Sequence, residues 1–215
     1  MAARNPYTDI CQFITKDNPV IIDAGACYGK SINLFIRSYK NPLIYAFEPI
    51  PEHAAQLRSR CPANRVQVFE KALGAHNQII PFHITNYRPS SSVMIPGDWL
   101  NHYHGEKMEI LQIIEVEMVR LADILPDTSI DIFKLDIQGY ELEALRGADH
   151  LLKEIPLIFT EVEFIPLYQN QPLFSDLEQF LRSCGFQLYN LYELWTHPDG
   201  QLTAGDALFI NHRFF

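Results

Sequence analysis

The chain has 215 residues, of which 47% are hydrophobic and 20% charged, and it carries a formal charge of −9. That length supports one sizeable core and not a second full domain, and the composition excludes a disordered chain. The excess of acid argues against a nucleic-acid partner, because binding phosphates requires a basic face.

The first twenty residues contain no long apolar run and no cleavage-type signal, and Val20 to Ala24 is the first expected strand. The apolar stretch VIIDA leads into the turn Gly25-Ala26-Cys27-Tyr28-Gly29, and a helix is expected from Gly29 to Tyr39. Leu43 to Glu48 reads as a second strand, PEHAAQLRSRC as a second helix, and Val66 to Ala72 as a third strand. A change follows over about 78–119. Two strand-like stretches, Ile79 to Thr85 and Glu109 to Val119, flank a long loop rich in Pro, Gly and His. A loop of that length in a compact domain is a lid, a binding loop or a disordered segment.

Alternation then resumes. Ile130 to Asp136 is an apolar strand ending in an acid, GYELEALRGADHLLK a helix, and Leu157 to Glu163 a further strand. In QPLFSDLEQFLRSCGF the apolar positions Phe174, Leu177, Phe180, Leu181 and Cys184 share one helical face, with Ser175 and Glu178 as a capping box and Gly185 as the stop. FQLYNLY and DALFI close the chain as two strands whose short connection makes the last one antiparallel. The expected architecture is α/β and Rossmann-like, with a mostly parallel seven-stranded sheet, in a single domain over 1–215 carrying an insertion or lid.

The four cysteines are scattered without a CxxC pair, and no run of about eighteen apolar residues occurs, so a reduced cytoplasmic chain without a membrane span is expected. The chemistry begins at the first turn. Glycines at 25 and 29 let backbone approach a ligand, but a dinucleotide site expects G-x-G-x-x-G, and Cys27 stands where a bare backbone would meet a pyrophosphate. Asp23 would repel phosphate and could pair with an ammonium group. Glu48, after the second strand, is placed to accept hydrogen bonds from ribose hydroxyls, and Pro49 ends that strand. Two acids at adjacent strand ends, a glycine turn and no pyrophosphate signature point to S-adenosyl-L-methionine, which has a ribose diol, an ammonium and a sulfonium but no phosphate.

The segments IIDAGACYGKS, AFEPIPEHAAQL, EKALG, SSS at Ser90 to Ser92, DIFKLDIQGYELEALRGA, IFTEVEFIPLYQNQPLF, CGFQLYNLYE and GDALFIN occur in this order and spacing. In this the chain resembles the FkbM-type methyltransferases of the class I S-adenosylmethionine-dependent superfamily. One departure is Cys27, where such proteins more often carry Asn or His; another is NHYHGEK in the central loop, which fits no family pattern. The resemblance implies a cofactor site formed by Asp23, Gly25, Ala26 and Gly29, with Glu48 on the ribose. It also implies Ala72 and Leu73 near the adenine and Asp136 beside the methionine moiety.

Methyl transfer to a hydroxyl is aided by a general base, and the candidates are Asp136, Glu161 and Glu163. Alternation places the two glutamates on one face of their strand. His102 or His104 could act as base from the loop, and with Asp98 they form an incomplete pattern for a divalent metal. Ser91 could touch cofactor or substrate, Gln138 is a candidate polar contact, and Lys134 reads as structural. The resulting expectation is an O-methyltransferase acting on a small-molecule hydroxyl, such as that of a sugar or polyketide-like product. A non-catalytic S-adenosylmethionine binder and a nicotinamide-dependent oxidoreductase stay open as alternatives, and so does assembly into a homo-oligomer.

Overall fold

The structure, a computed structural model, describes residues 4–104 and 107–215, with 102–104 described in backbone only. Seven strands form one sheet: β1 Val20–Ala24, β2 Leu43–Phe47, β3 Val66–Phe69, β7 Ile132–Leu135, β8 Leu157–Glu163, β9 Phe186–Thr196 and β10 Leu202–Asn211, in the order β3-β2-β1-β7-β8-β10-β9. Neighbouring strands are parallel as far as β8, and β10 lies antiparallel to both β8 and β9. The strand order reverses direction between β1 and β7, the place where an open α/β sheet leaves a crevice outside the carboxyl ends of its strands.

The apolar alternation explains how the sheet is covered. Ile21, Ile44, Ile132 and Leu157 pack on one face, with α1 (Pro6–Phe13), α2 (Lys30–Ser38) and α3 (Pro51–Arg60) supplying Ile10, Phe35 and Leu57. Ile22, Phe133 and Ile158 point the other way, toward α6 (Glu141–Ala148) and α7 (Phe174–Ser183). Every residue of β7 is buried, as expected for a central parallel strand covered on both faces.

A second, three-stranded sheet in the order β4-β6-β5 is built from β4 Ala72–Leu73, β5 Gln78–Thr85 and β6 Ile110–Val119. The third strand expected to reach Ala72 therefore ends at Phe69, and Ala72 and Leu73 pair with Met118 and Val119 instead. Within the long connection, α4 (Asp98–His104) follows a short 3₁₀ turn at Arg88–Ser90. α7 begins one residue before Ser175, so Ser175 lies inside the helix rather than at its cap. Its start is held by the Asp176 carboxylate, which accepts the Leu173 amide at 2.9 Å. Gly185 does stop this helix, with φ +94°.

Candidate active site

The turn after β1 takes its shape from positive φ angles at Gly25 (+76°), Cys27 (+46°) and Gly29 (+81°). A Cβ at Gly25 would lie 1.8 Å from the carbonyl oxygen of Asp136, so the ends of β1 and β7 meet closely because this position is glycine. Cys27 accepts the left-handed conformation without that freedom, at a place where Asn tolerates it better. Four amides of the turn are committed within the protein. Those of Gly25 and Ala26 donate to Phe47 O at 3.0 and 3.2 Å, Gly29 donates to Ala26 O at 2.7 Å, and Cys27 donates to Glu48 Oε2 at 2.8 Å.

Glu48 is 4% exposed and accepts a second amide, that of Ile50, at 2.9 Å on Oε1. Each carboxylate oxygen keeps a second lone pair. The buried His53 stands 3.7 Å from the same carboxylate and packs against Tyr28. Burial and the neighbouring Glu48 push the Cys27 thiol up to about 12, so it is a neutral group here.

These residues border a cavity of about 700 Å³ at the carboxyl ends of β1, β2, β7 and β8, within the roughly 300–1,000 Å³ range of ligand pockets. Gly25, Ala26, Glu48, Pro49, Ala72, Leu73, Ser91, Asp136 and Glu161 all line it. Ile50, Ala72, Phe82 and Tyr140 form an apolar slot beside Glu48.

Asp23, Gly29 and Glu163 do not border the cavity. Asp23 is fully buried, accepts the Ser31 hydroxyl at 2.5 Å and pairs with Lys134 Nζ at 3.1 Å. Its charge is thus matched inside the protein rather than by a ligand ammonium. Lys134 also reaches the carbonyl of Gly25 at 3.3 Å and Asp136 at 3.7 Å, which ties the strand ends together in the structural role expected of it. Gly29 turns the backbone into α2 at its N-cap, and a Cβ there would lie 2.9 Å from Leu57.

Glu161 and Glu163 share a face of β8, opposite the buried Val162, but only Glu161 reaches the cavity. Burial and nearby carboxylates raise both well above the usual range, with Asp136 the chief carboxylate neighbour of Glu161 and Glu141 that of Glu163. Directly across from Glu161 in the antiparallel register stands Asp206 of β10, also on the cavity wall. Burial, then Asp136 and Glu193, raise Asp206 to about 7. Gln138 links Asp136 and Glu161 through its side-chain amide. Ser91 accepts the Thr85 amide at 3.1 Å and borders the cavity from the loop after β5.

The side chains of His102 and His104 lie outside the described residues. Among the described residues no group of three or more His, Cys, Asp or Glu side chains is placed to hold a metal ion.

Among the cavity residues that the sequence reading does not name are Tyr7 on α1, Trp195 on β9 and Asp206 on β10. Asn5 followed by Pro6 is a helix-start signature that signals α1. An acid inside the apolar run LTAGDALFIN is the corresponding signal for Asp206. Nothing local marks Trp195 as facing the cavity.

The sheet order, the antiparallel β10 and the crevice after β1 are those of Rossmann-like methyltransferases. Residues 23–188 match the methyltransferase FkbM domain, and the chain belongs to that family. The 2-O-methyltransferase NoeI of Sinorhizobium fredii is 30% identical over 176 residues, which cover 77% of this chain and 72% of NoeI. The crystal structure of an FkbM methyltransferase from Methylobacillus flagellatus has the same fold, with a TM-score of 0.59 at 18% identity. That likeness covers 97% of this chain, which spans only 48% of the longer protein. The fold is also that of TrmK from M. capricolum, solved in complex with S-adenosyl-homocysteine, at a TM-score of 0.51 and 10% identity over 100% of this chain and 71% of TrmK.

Proposed function

We propose that the chain transfers the methyl group of S-adenosyl-L-methionine to a hydroxyl of a small molecule such as a sugar or polyketide-like product. The observation that carries this reading is how the first turn spends its hydrogen bonds. The amides of Gly25, Ala26, Cys27 and Gly29 are taken by Phe47, Glu48 and Ala26 and are not offered to a pyrophosphate, while the Glu48 carboxylate is fixed at the cavity wall. A ribose diol without phosphates fits those groups, and the apolar slot of Ile50, Ala72, Phe82 and Tyr140 suits an adenine. A dinucleotide does not. The name of NoeI, a 2-O-methyltransferase, supports a hydroxyl acceptor, and TrmK with its bound S-adenosyl-homocysteine supports the cofactor.

When bound, the cofactor supplies an electrophilic methyl group on a sulfonium. The protein's part is to align the acceptor, exclude water and accept a proton. Glu48 would hold the ribose end, and Gly25 and Ala26 would allow close approach of backbone. The half-exposed carboxylate of Asp136 would match the positive charge of the cofactor. Asp136, Glu161 and Asp206 are the carboxylates placed to take the acceptor proton, and Asp206, raised to about 7, suits a base acting near neutral pH. Trp195 and Tyr87 at the cavity edge offer flat faces for a ring-shaped acceptor.

The test is incubation with methyl-tritiated S-adenosylmethionine and a panel of methyl glycosides and hydroxylated polyketides, with and without divalent ions, and with tRNA as control acceptor. Label in a hydroxyl compound and none in RNA is expected. Label in RNA alone would overturn the acceptor class. Cofactor binding without label in any acceptor would favour a non-catalytic binder.

A further inference from the structure

We propose that Gln138 is the positioning residue of this site: its amide holds Asp136 and Glu161 in a fixed mutual arrangement, and Tyr168 fixes the amide. The side-chain nitrogen lies 2.9 Å from Asp136 Oδ1 and 2.6 Å from Glu161 Oε2, so its two protons are divided between two carboxylates. The side-chain oxygen accepts the Tyr168 hydroxyl at 2.8 Å. Only one orientation satisfies all three contacts, because a flipped amide would set a carbonyl against two carboxylates.

The backbone is organised for this purpose. Gln138 has φ +59°, a conformation an L side chain rarely adopts, and the Ser92 hydroxyl donates to its carbonyl at 2.8 Å. A residue held so against its preference by its surroundings marks a place where orientation matters. Tyr168 is 1% exposed and lies within 2.9 Å of the Ser90 carbonyl, so the network joins the ends of β7 and β8 to the loop that borders the cavity. Among the described residues, Lys134 at 3.7 Å is the other side chain that pairs with Asp136. Without the amide the two carboxylates would lose the donor they share. The other charged groups facing the pair are Lys134 from β7, Glu141 from α6, Glu163 from β8 and Asp206 from β10.

The consequence for methyl transfer rests on the function proposed above; the geometry does not. The test is therefore a carboxyl ¹³C NMR titration of the full chain labelled at Asp and Glu, free and with S-adenosyl-homocysteine. Asp136→Asn and Glu161→Gln assign the signals. Gln138→Met keeps the length of the side chain and removes both donors, and the titration midpoints of Asp136 and Glu161 should rise by about one pH unit or more. S-adenosyl-homocysteine affinity should stay within about threefold, because Gln138 orients the carboxylates and not the nucleoside. Tyr168→Phe retains the packed ring and should shift the same signals in the same direction by less, which keeps the proposal testable if Gln138→Met does not fold. Unchanged midpoints in a folded variant overturn it. Failure of the wild-type chain to bind S-adenosyl-homocysteine would count against the proposed function alone, since the titration of the free protein still reports on Gln138.

Discussion

Lys134 Nζ lies 3.1 Å from Asp23 Oδ1, with Asp23 fully buried and Lys134 nearly so. This ion pair sits under the first turn, where Lys134 also meets the carbonyl of Gly25. Removing one partner leaves an uncompensated charge in the interior, at a typical cost of about 3–5 kcal/mol. Asp23→Ala should therefore lower stability by that order, seen as an earlier midpoint in urea unfolding. If the variant retains wild-type stability and loses only cofactor affinity, Asp23 is a ligand contact after all.

Glu48 makes a different prediction. Each of its oxygens accepts a backbone amide, from Cys27 and from Ile50. In Glu48→Gln one of those amides must face an NH₂ group, and the charge that would strengthen bonds to ribose hydroxyls is gone. Hydrogen bonds to charged groups contribute roughly 1.5–3 kcal/mol, so S-adenosyl-homocysteine affinity should fall about 10- to 100-fold. Calorimetric titration measures this directly. An unchanged affinity would remove Glu48 from the site.

Gly25→Ala tests the contact between β1 and β7. The added Cβ would meet Asp136 O at 1.8 Å, in a backbone conformation at φ +76° that costs L residues about 1–2 kcal/mol before any clash. The variant should lose more than about 2 kcal/mol of stability and with it cofactor binding. Thermal unfolding monitored by circular dichroism would show it.

Much of this was legible in the residues. The apolar runs before Asp23, Glu48 and Asp136 place acids at the ends of three adjacent strands, and period-two alternation puts Glu161 and Glu163 on one face. What those acids touch was not legible, because it depends on partners distant in the chain. Asp23 reads as a ligand contact until Lys134, on a neighbouring strand, is seen beside it. Glu163 matches Glu161 in sequence, yet one lies behind the cavity wall and the other on it. Ala72 reads as the end of the third strand, while its pairing with Met118 is set by a strand far along the chain. Asp206 joins the site only through the register of β10 against β8.

Asp206 also gives a pH dependence. Burial raises it from an ordinary 3.8 to about 7, so the folded state holds a proton that the unfolded chain has released between those values. That contribution to stability is fully present below about pH 4 and is lost as pH rises toward 7. Asp206→Asn carries no ionisable group there and should be more stable than wild type at pH 8, by about 1–2 kcal/mol after allowance for partial exposure, with the gain vanishing near pH 4. Denaturant unfolding of both proteins at the two pH values checks the sign.

The central claim is that the first turn holds an adenosine ligand without phosphates, and calorimetric titration with S-adenosyl-homocysteine, with NAD in parallel, tests it most directly. Micromolar binding of S-adenosyl-homocysteine with no heat from NAD is the predicted result. Binding of NAD alone would mean that the turn accommodates a pyrophosphate despite its committed amides, and would contradict the account.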